Sequence, residues 1–161
     1  MPSVISNSSP LIHLTKIGQL HLLPQIFSIV TIPTAVYEEC TIEGQARDEV
    51  LAIKNAEWLN VCAVNNQDLV QLLCSELDQG ESEALTLALE KSADLILLDD
   101  AEARAKARLY KLRITGTIGI LLRAYQENRL SSLPEVIEQL QVTGFWIDNR
   151  LKAKILAEIN K

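Results

Sequence analysis

The chain predicts an α/β fold whose parallel sheet is covered by helices on both faces. Short apolar runs alternate with amphipathic segments along the 161 residues. Leu95-Ile96-Leu97-Leu98 is continuously aliphatic, the pattern of an interior parallel strand buried on two sides. The repeated strand-then-helix order implies right-handed crossovers back into one sheet.

Taken in order, Ser3-Val4-Ile5-Ser6 is a short strand that stops at Asn7-Ser8-Ser9-Pro10, where Ser9 is placed to cap a helix beginning at Pro10. Leu11, Ile12, Leu14 and Ile17 keep helical spacing until Gly18, and Leu20 to Phe27 continues as a second helical piece broken at Pro24. Ile29 to Ile32 is the next strand. Thr34 to Cys40 opens a helix, Asp48 to Ala56 forms another, and Trp58 to Val64 alternates as a strand. Asp68 to Leu77 and Gly80 to Lys91 are helical, the latter with a broad apolar face of Ala84, Leu85, Leu87, Ala88 and Leu89. Beyond the aliphatic strand come a helix over Ala101 to Tyr110, a short strand at Arg113-Ile114, and helices over Thr117 to Glu127, Leu133 to Leu140 and Asn149 to Ile159. No linker, internal repeat or low-complexity tract interrupts this order, so residues 1–161 are read as a single domain.

Composition narrows the function classes. Hydrophobic residues make up 48% and charged residues 22%, which are globular values, while 4% aromatic implies an aliphatic interior. Cys40, Cys62 and Cys74 form no CxxC pair, which argues against a disulfide framework or a zinc knuckle and fits a reducing compartment. The first residues show no basic leader, and no apolar run approaches the roughly 20 residues needed to span a bilayer. The expected location is the cytoplasm, with no membrane partner. A net charge of −6 disfavours nucleic-acid binding by phosphate neutralisation alone, although a metal site could offset it locally.

In open α/β sheets ligands bind beyond the carboxyl ends of the strands, and the residues there are polar. They are Asn7, Ser8 and Ser9 after the first strand, Asp99 and Asp100 after the aliphatic strand, and Thr115, Gly116 and Thr117 after the Arg113 strand. Two helices add Glu39 and Glu81. Magnesium and manganese take hard oxygen ligands, so carboxylates meeting at one concave spot would suit either ion and metal-assisted phosphodiester hydrolysis. His13 and His21 sit among leucines and read as interior or rim residues rather than bases. Each acid also has a plainer reading: Asp99-Asp100 as a helix cap, Glu81 and Glu83 as first-turn acids, Glu38-Glu39 as a solvated helical face, Thr115-Gly116-Thr117 as a turn and cap.

The segments Ser6-Asn7-Ser8-Ser9-Pro10-Leu11-Ile12, Ile32-Pro33-Thr34-Ala35-Val36-Tyr37-Glu38-Glu39, Gly80-Glu81-Ser82-Glu83-Ala84 and Leu97-Leu98-Asp99-Asp100-Ala101-Glu102-Ala103-Arg104 together resemble PIN-domain proteins. Thr115-Gly116-Thr117-Ile118-Gly119-Ile120-Leu121 and Gly144-Phe145-Trp146-Ile147 are similar to a subgroup related to VapC-like toxin ribonucleases. The resemblance implies a parallel α/β/α sandwich, often a homodimer, whose acidic pocket binds Mg²⁺ or Mn²⁺ and hydrolyses single-stranded RNA, commonly under restraint by a small antitoxin protein. By position it assigns the metal-holding acids to Glu39, Glu81 and Asp99, with Asp100 as a second ligand or water-orienting group. The 18-residue separation of Glu81 from Asp99 fits that pattern, so Glu81 is preferred to Glu83.

One departure stands out. The family's first aspartate falls on Asn7, whose amide offers a neutral oxygen in place of a charge, and this lowers the expected metal affinity. For phosphate contacts the cations Arg104, Lys106, Arg108, Lys111 and Arg113 are available, with Arg104 preferred and Arg108 on the same helical side; the plainer alternative is a solvated face pairing with Asp100 and Glu102. Ser9, Thr115 and Thr117 are further candidate substrate contacts. The leading expectation is a metal-dependent endoribonuclease of toxin type. A catalytically weakened module that binds RNA or a protein without cutting is the alternative. A phosphorelay receiver fits poorly, since its acid pair belongs where this chain has Asn7-Ser8-Ser9.

Overall fold

The computed structural model describes residues 2–41 and 46–159. Five parallel strands form one sheet in the order β3-β2-β1-β4-β5, with β1 at Val4–Ser6, β2 at Val30–Pro33, β3 at Leu59–Cys62, β4 at Leu95–Leu97 and β5 at Ile114–Thr115. The register sets Ile5 opposite both Thr31 and Ile96, and Leu97 opposite Thr115. The helices are α1 (Ser8–Lys16), α2 (Leu22–Phe27), α3 (Thr34–Thr41), α4 (Arg47–Lys54), α5 (Gln67–Leu73), α6 (Gln79–Glu90), α7 (Ala101–Leu109), α8 (Thr117–Gln126), α9 (Leu133–Val142) and α10 (Asn149–Ile159).

Strand periodicity divides the interior into two cores. Successive side chains leave opposite faces of a strand, so Val4 and Leu97 pack with α1, α2, α8 and α9, whereas Ile5, Ile96 and Leu98 pack with α5, α6 and α7. Each fully buried leucine or isoleucine contributes about 1.5–3 kcal/mol, which is why the aliphatic run around Leu97 is an interior strand of the sheet, between β1 and β5. The result is a three-layer sandwich with helices over both faces.

The elements occur in the expected order, with differences at their ends. Helix α1 begins at Ser8 with Asn7 at its N-cap position and no side-chain cap bond, so Ser9 does not cap; its hydroxyl is drawn instead to a neighbouring acid. Pro24 does not break α2, because it is the third helical residue, where its missing N–H is no loss. Leu98 lies past the end of β4, yet its N–H still bonds the Thr115 carbonyl at 2.9 Å. Among the described residues no helix is long and apolar enough to cross a membrane.

Candidate functional site

The chain runs from β1 outward through β2 and β3, then returns to place β4 on the other side of β1. Such a switch opens a crevice at the carboxyl ends of the two central strands, and the loops leaving β1 and β4 lie there together. The Asn7 N–H continues the pairing by donating to the Leu97 carbonyl at 3.0 Å.

Two adjacent hydroxyls on the first turn of α1 then reach acids from different parts of the chain. Ser8 Oγ donates to Glu39 Oε2 at 2.6 Å, and Ser9 Oγ donates to Asp99 Oδ2 at 3.1 Å. Helix α3 packs on α6, and the Glu39 carboxylate lies over Gly80 so closely that a Cβ there would collide with it. The colliding atoms are the far end of a flexible side chain. Gly80→Ala is therefore expected to displace Glu39 while leaving thermal stability nearly unchanged, since alanine also favours the helix by about 1 kcal/mol. Thermal melting of the variant checks the stability half, with a nearly unchanged melting temperature as the expected result.

The Asp99-Asp100 doublet divides its work. Asp100 is the N-cap of α7, with Oδ2 accepting from the Ala103 N–H at 2.9 Å. Asp99 turns the other way and accepts from the Thr117 N–H and the Thr117 hydroxyl, both at 2.7 Å. Gly116 permits this turn, because a Cβ there would lie 2.7 Å from Asp99 Oδ1 and 2.8 Å from Arg104 Nη1.

Glu81 combines a structural bond with contact to a second acid. Its Oε1 accepts from the Asp78 N–H while Asp78 accepts from the Glu81 N–H, a capping box at the start of α6. The same side chain hydrogen-bonds with Asp100. Burial pushes its carboxyl up to about 7, and the charges of Asp78 and Asp100 push in the same direction against the Asp78 N–H bond. A folded-state value above the unfolded one contributes stability that is complete below about 4.5 and lost as pH rises through about 7. In metal-free buffer Glu81→Gln, which keeps a capping-box side chain, is expected to flatten the decline in melting temperature over that window; an unaltered pH profile would show that Glu81 does not hold this proton. Glu83 faces elsewhere, accepting from the Ala35 N–H and from Gln79.

A family model described as a PIN domain matches residues 3–161. The chain belongs to the PIN-domain family. PIN domains are generally nucleases, and PIN nucleases typically use divalent metals. No match was found among curated proteins.

In this PIN domain the donor chemistry fits a hard divalent ion in kind. Glu39, Glu81, Asp99 and Asp100 are carboxylates, and the buried Asn7 Oδ1 has no hydrogen-bond partner. Among the described residues, however, no three acids, histidines or cysteines come close enough together to form a ready-made cage. The set is a chain of contacts, Glu39 to Gly80 and Glu81 to Asp100, flanked by Asp99.

The other candidates separate. Arg104 is half-buried beside Asp99 and donates to the Leu98 carbonyl at 3.3 Å, whereas Arg108 is exposed and lies off the groove that starts here. Lys106 pairs with Glu76, so the cations of α7 do not form one continuous track. Thr115 lines the groove. Thr117 is fully buried with its amide and hydroxyl both committed to Asp99, as the Ser9 hydroxyl is, so these two residues hold the acid in place. The groove has a volume of about 650 Å³ and extends from Asp99, Asp100 and Arg104 past Thr115 and Gly119 to Phe145 and Trp146.

Ser8 and Gly116 stand among the residues beyond the strand ends but the sequence gives them no role, and Gly80 enters only within a motif, since what all three do depends on contacts across the fold. His13 likewise approaches the site. It packs edge-on against Phe145 at 4.8 Å, burial lowers its pKa, and the charge of Asp99 opposes that shift.

Proposed function

We propose that this protein is a metal-dependent endoribonuclease acting on single-stranded RNA, with Asn7, Glu39, Glu81, Asp99 and Asp100 forming its reaction centre. The observation that carries this reading is the Ser8-Ser9 pair, whose hydroxyls bond Glu39 and Asp99 at one sheet edge. Acids 60 positions apart in sequence are thereby held beside the same turn of helix.

Glu39, Glu81, Asp99 and Asp100 would hold Mg²⁺ or Mn²⁺, with the Asn7 oxygen as a neutral addition. A divalent ion supplies charge stabilisation to the phosphodiester under attack and eases deprotonation of water. Ser8, Ser9 and Thr117 orient the carboxylates from behind. Arg104, whose guanidinium lies with Asp99 against Gly116, serves as the phosphate contact, with Thr115 further along the same groove. The Glu81 carboxyl, pushed up to about 7 chiefly by burial, must give up its proton to act as an anionic ligand, so ion binding is expected to release protons.

A toxin role, with a small antitoxin protein restraining the site, fits the VapC-like resemblance and is part of the proposal, as are a homodimer and a cytoplasmic location. A second reading, a weakened module that binds RNA or a protein without cleavage, draws support from the missing charge at Asn7 and the open arrangement of the acids. Isothermal titration with Mn²⁺ beside cleavage assays on mixed single-stranded RNAs separates the two. The nuclease reading expects binding heat and ion-dependent products; RNA binding without products at high enzyme concentration favours the module.

A further inference from the structure

We propose that Trp146 is a stacking platform that holds an unpaired base of single-stranded RNA beside the acidic centre. The inference rests on the reading of this chain as an RNA-binding nuclease and names a subsite within it. The segment after α9 turns at Gly144, whose φ of +100° suits glycine. Phe145 then tucks against His13 and Ile147 enters the core, while Trp146 between them is 80% exposed. An indole left in solvent on the wall of a groove that leads to candidate catalytic groups is a binding feature rather than a packing one.

The charges along the groove indicate what lies over that indole. Asp99, Asp100 and Asp148 line it together with Arg104, so a phosphate is accepted near Arg104 and repelled near Asp148. A second hollow shares Leu122, Leu151 and Ile155 with the first and is lined by both Lys154 and Glu158, so it adds no net charge. A groove with its cation, Arg104, at the acidic end and an apolar, aromatic wall of Leu122, Phe145, Trp146 and Leu151 leading away from it matches a strand whose phosphate falls at Arg104 while a neighbouring base lies flat on the indole. Every base has a face for stacking, so the subsite selects unpaired strands rather than a sequence. A duplex, with its bases already stacked inside, does not use it.

The test measures fluorescence anisotropy of a short labelled 2′-O-methyl RNA, chosen to resist cleavage, with the full chain and its variants. Trp146→Ala is expected to weaken single-strand binding roughly tenfold, Trp146→Phe to retain most of it, and neither to change duplex binding. RNAs with one base removed should include a position at which the wild-type protein loses affinity and Trp146→Ala does not. Quenching of indole fluorescence by RNA should also fall in Trp146→Ala, where only Trp58 remains. Equal single-strand binding by wild type and Trp146→Ala would overturn the subsite and leave the RNA reading intact. Absence of RNA binding by the wild-type protein would overturn both. A changed oligomeric state in Trp146→Ala, with RNA affinity unchanged, would assign the indole to a contact between copies and likewise overturn the proposal.

Discussion

Asp99→Asn is expected to lower RNA cleavage at least about a hundredfold, the scale seen when a group that stabilises reacting charge or orients a metal ligand is removed. The substitution keeps the shape of the side chain and the bond from the Thr117 N–H, but it places an amide N–H₂ where a carboxylate oxygen received the hydroxyls of Thr117 and Ser9. Hydroxyls can turn to accept, so the fold survives. Charge-assisted bonds are nonetheless exchanged for neutral ones, at a cost of about 1–3 kcal/mol. Relief of repulsion among the acids offsets only part of this, because three donors already stabilise the Asp99 charge. Urea denaturation and single-turnover cleavage check the two halves separately. Full activity in a folded Asp99→Asn protein would place the reaction centre elsewhere.

Asn7→Asp has the opposite expected sign for ion binding and a large effect on stability. Asn7 is 4% exposed and its side-chain oxygen has no protein partner, so aspartate there puts an unpaired charge into a buried position. Without metal, the fold should lose about 3–5 kcal/mol. With Mn²⁺ present part of that loss should be recovered, about 1.4 kcal/mol for each tenfold by which the charged ligand raises the affinity of the site for a divalent ion. Melting curves in chelator and in Mn²⁺ provide the comparison. Equal destabilisation in both would mean that Asn7 does not face the ion.

Much of the scaffold was legible because period and composition act locally. The run around Leu97 could only be an interior strand, and Gly80 to Lys91 carried enough apolar residues on one face to fix α6. The resemblance names Glu39, Glu81 and Asp99 as candidate acids, but the partners that hold their side chains were not legible. Nothing in the sequence says that Ser8 will meet Glu39, since that contact exists only once α3 has packed beside α1. Asp100 shows the limit most clearly: the plainer reading as a helix cap describes its Oδ2, and the meeting of the same carboxyl with Glu81 arises only from the packing of α6 and α7 into one core. Thr117 read as a phosphate donor from its place at a helix start, and tertiary structure turned that same donor geometry onto Asp99. Pro24 was read as a break on propensity, whereas its position within the first turn decided otherwise.

Anomalous scattering from a crystal soaked in Mn²⁺ tests the central claim most directly. The account predicts one peak at the carboxyl edge, contacted by oxygens from Glu39, Asp99 and the Glu81–Asp100 pair. Full soaking with no peak there, or with manganese bound only at a site touched by none of these four side chains, would contradict it.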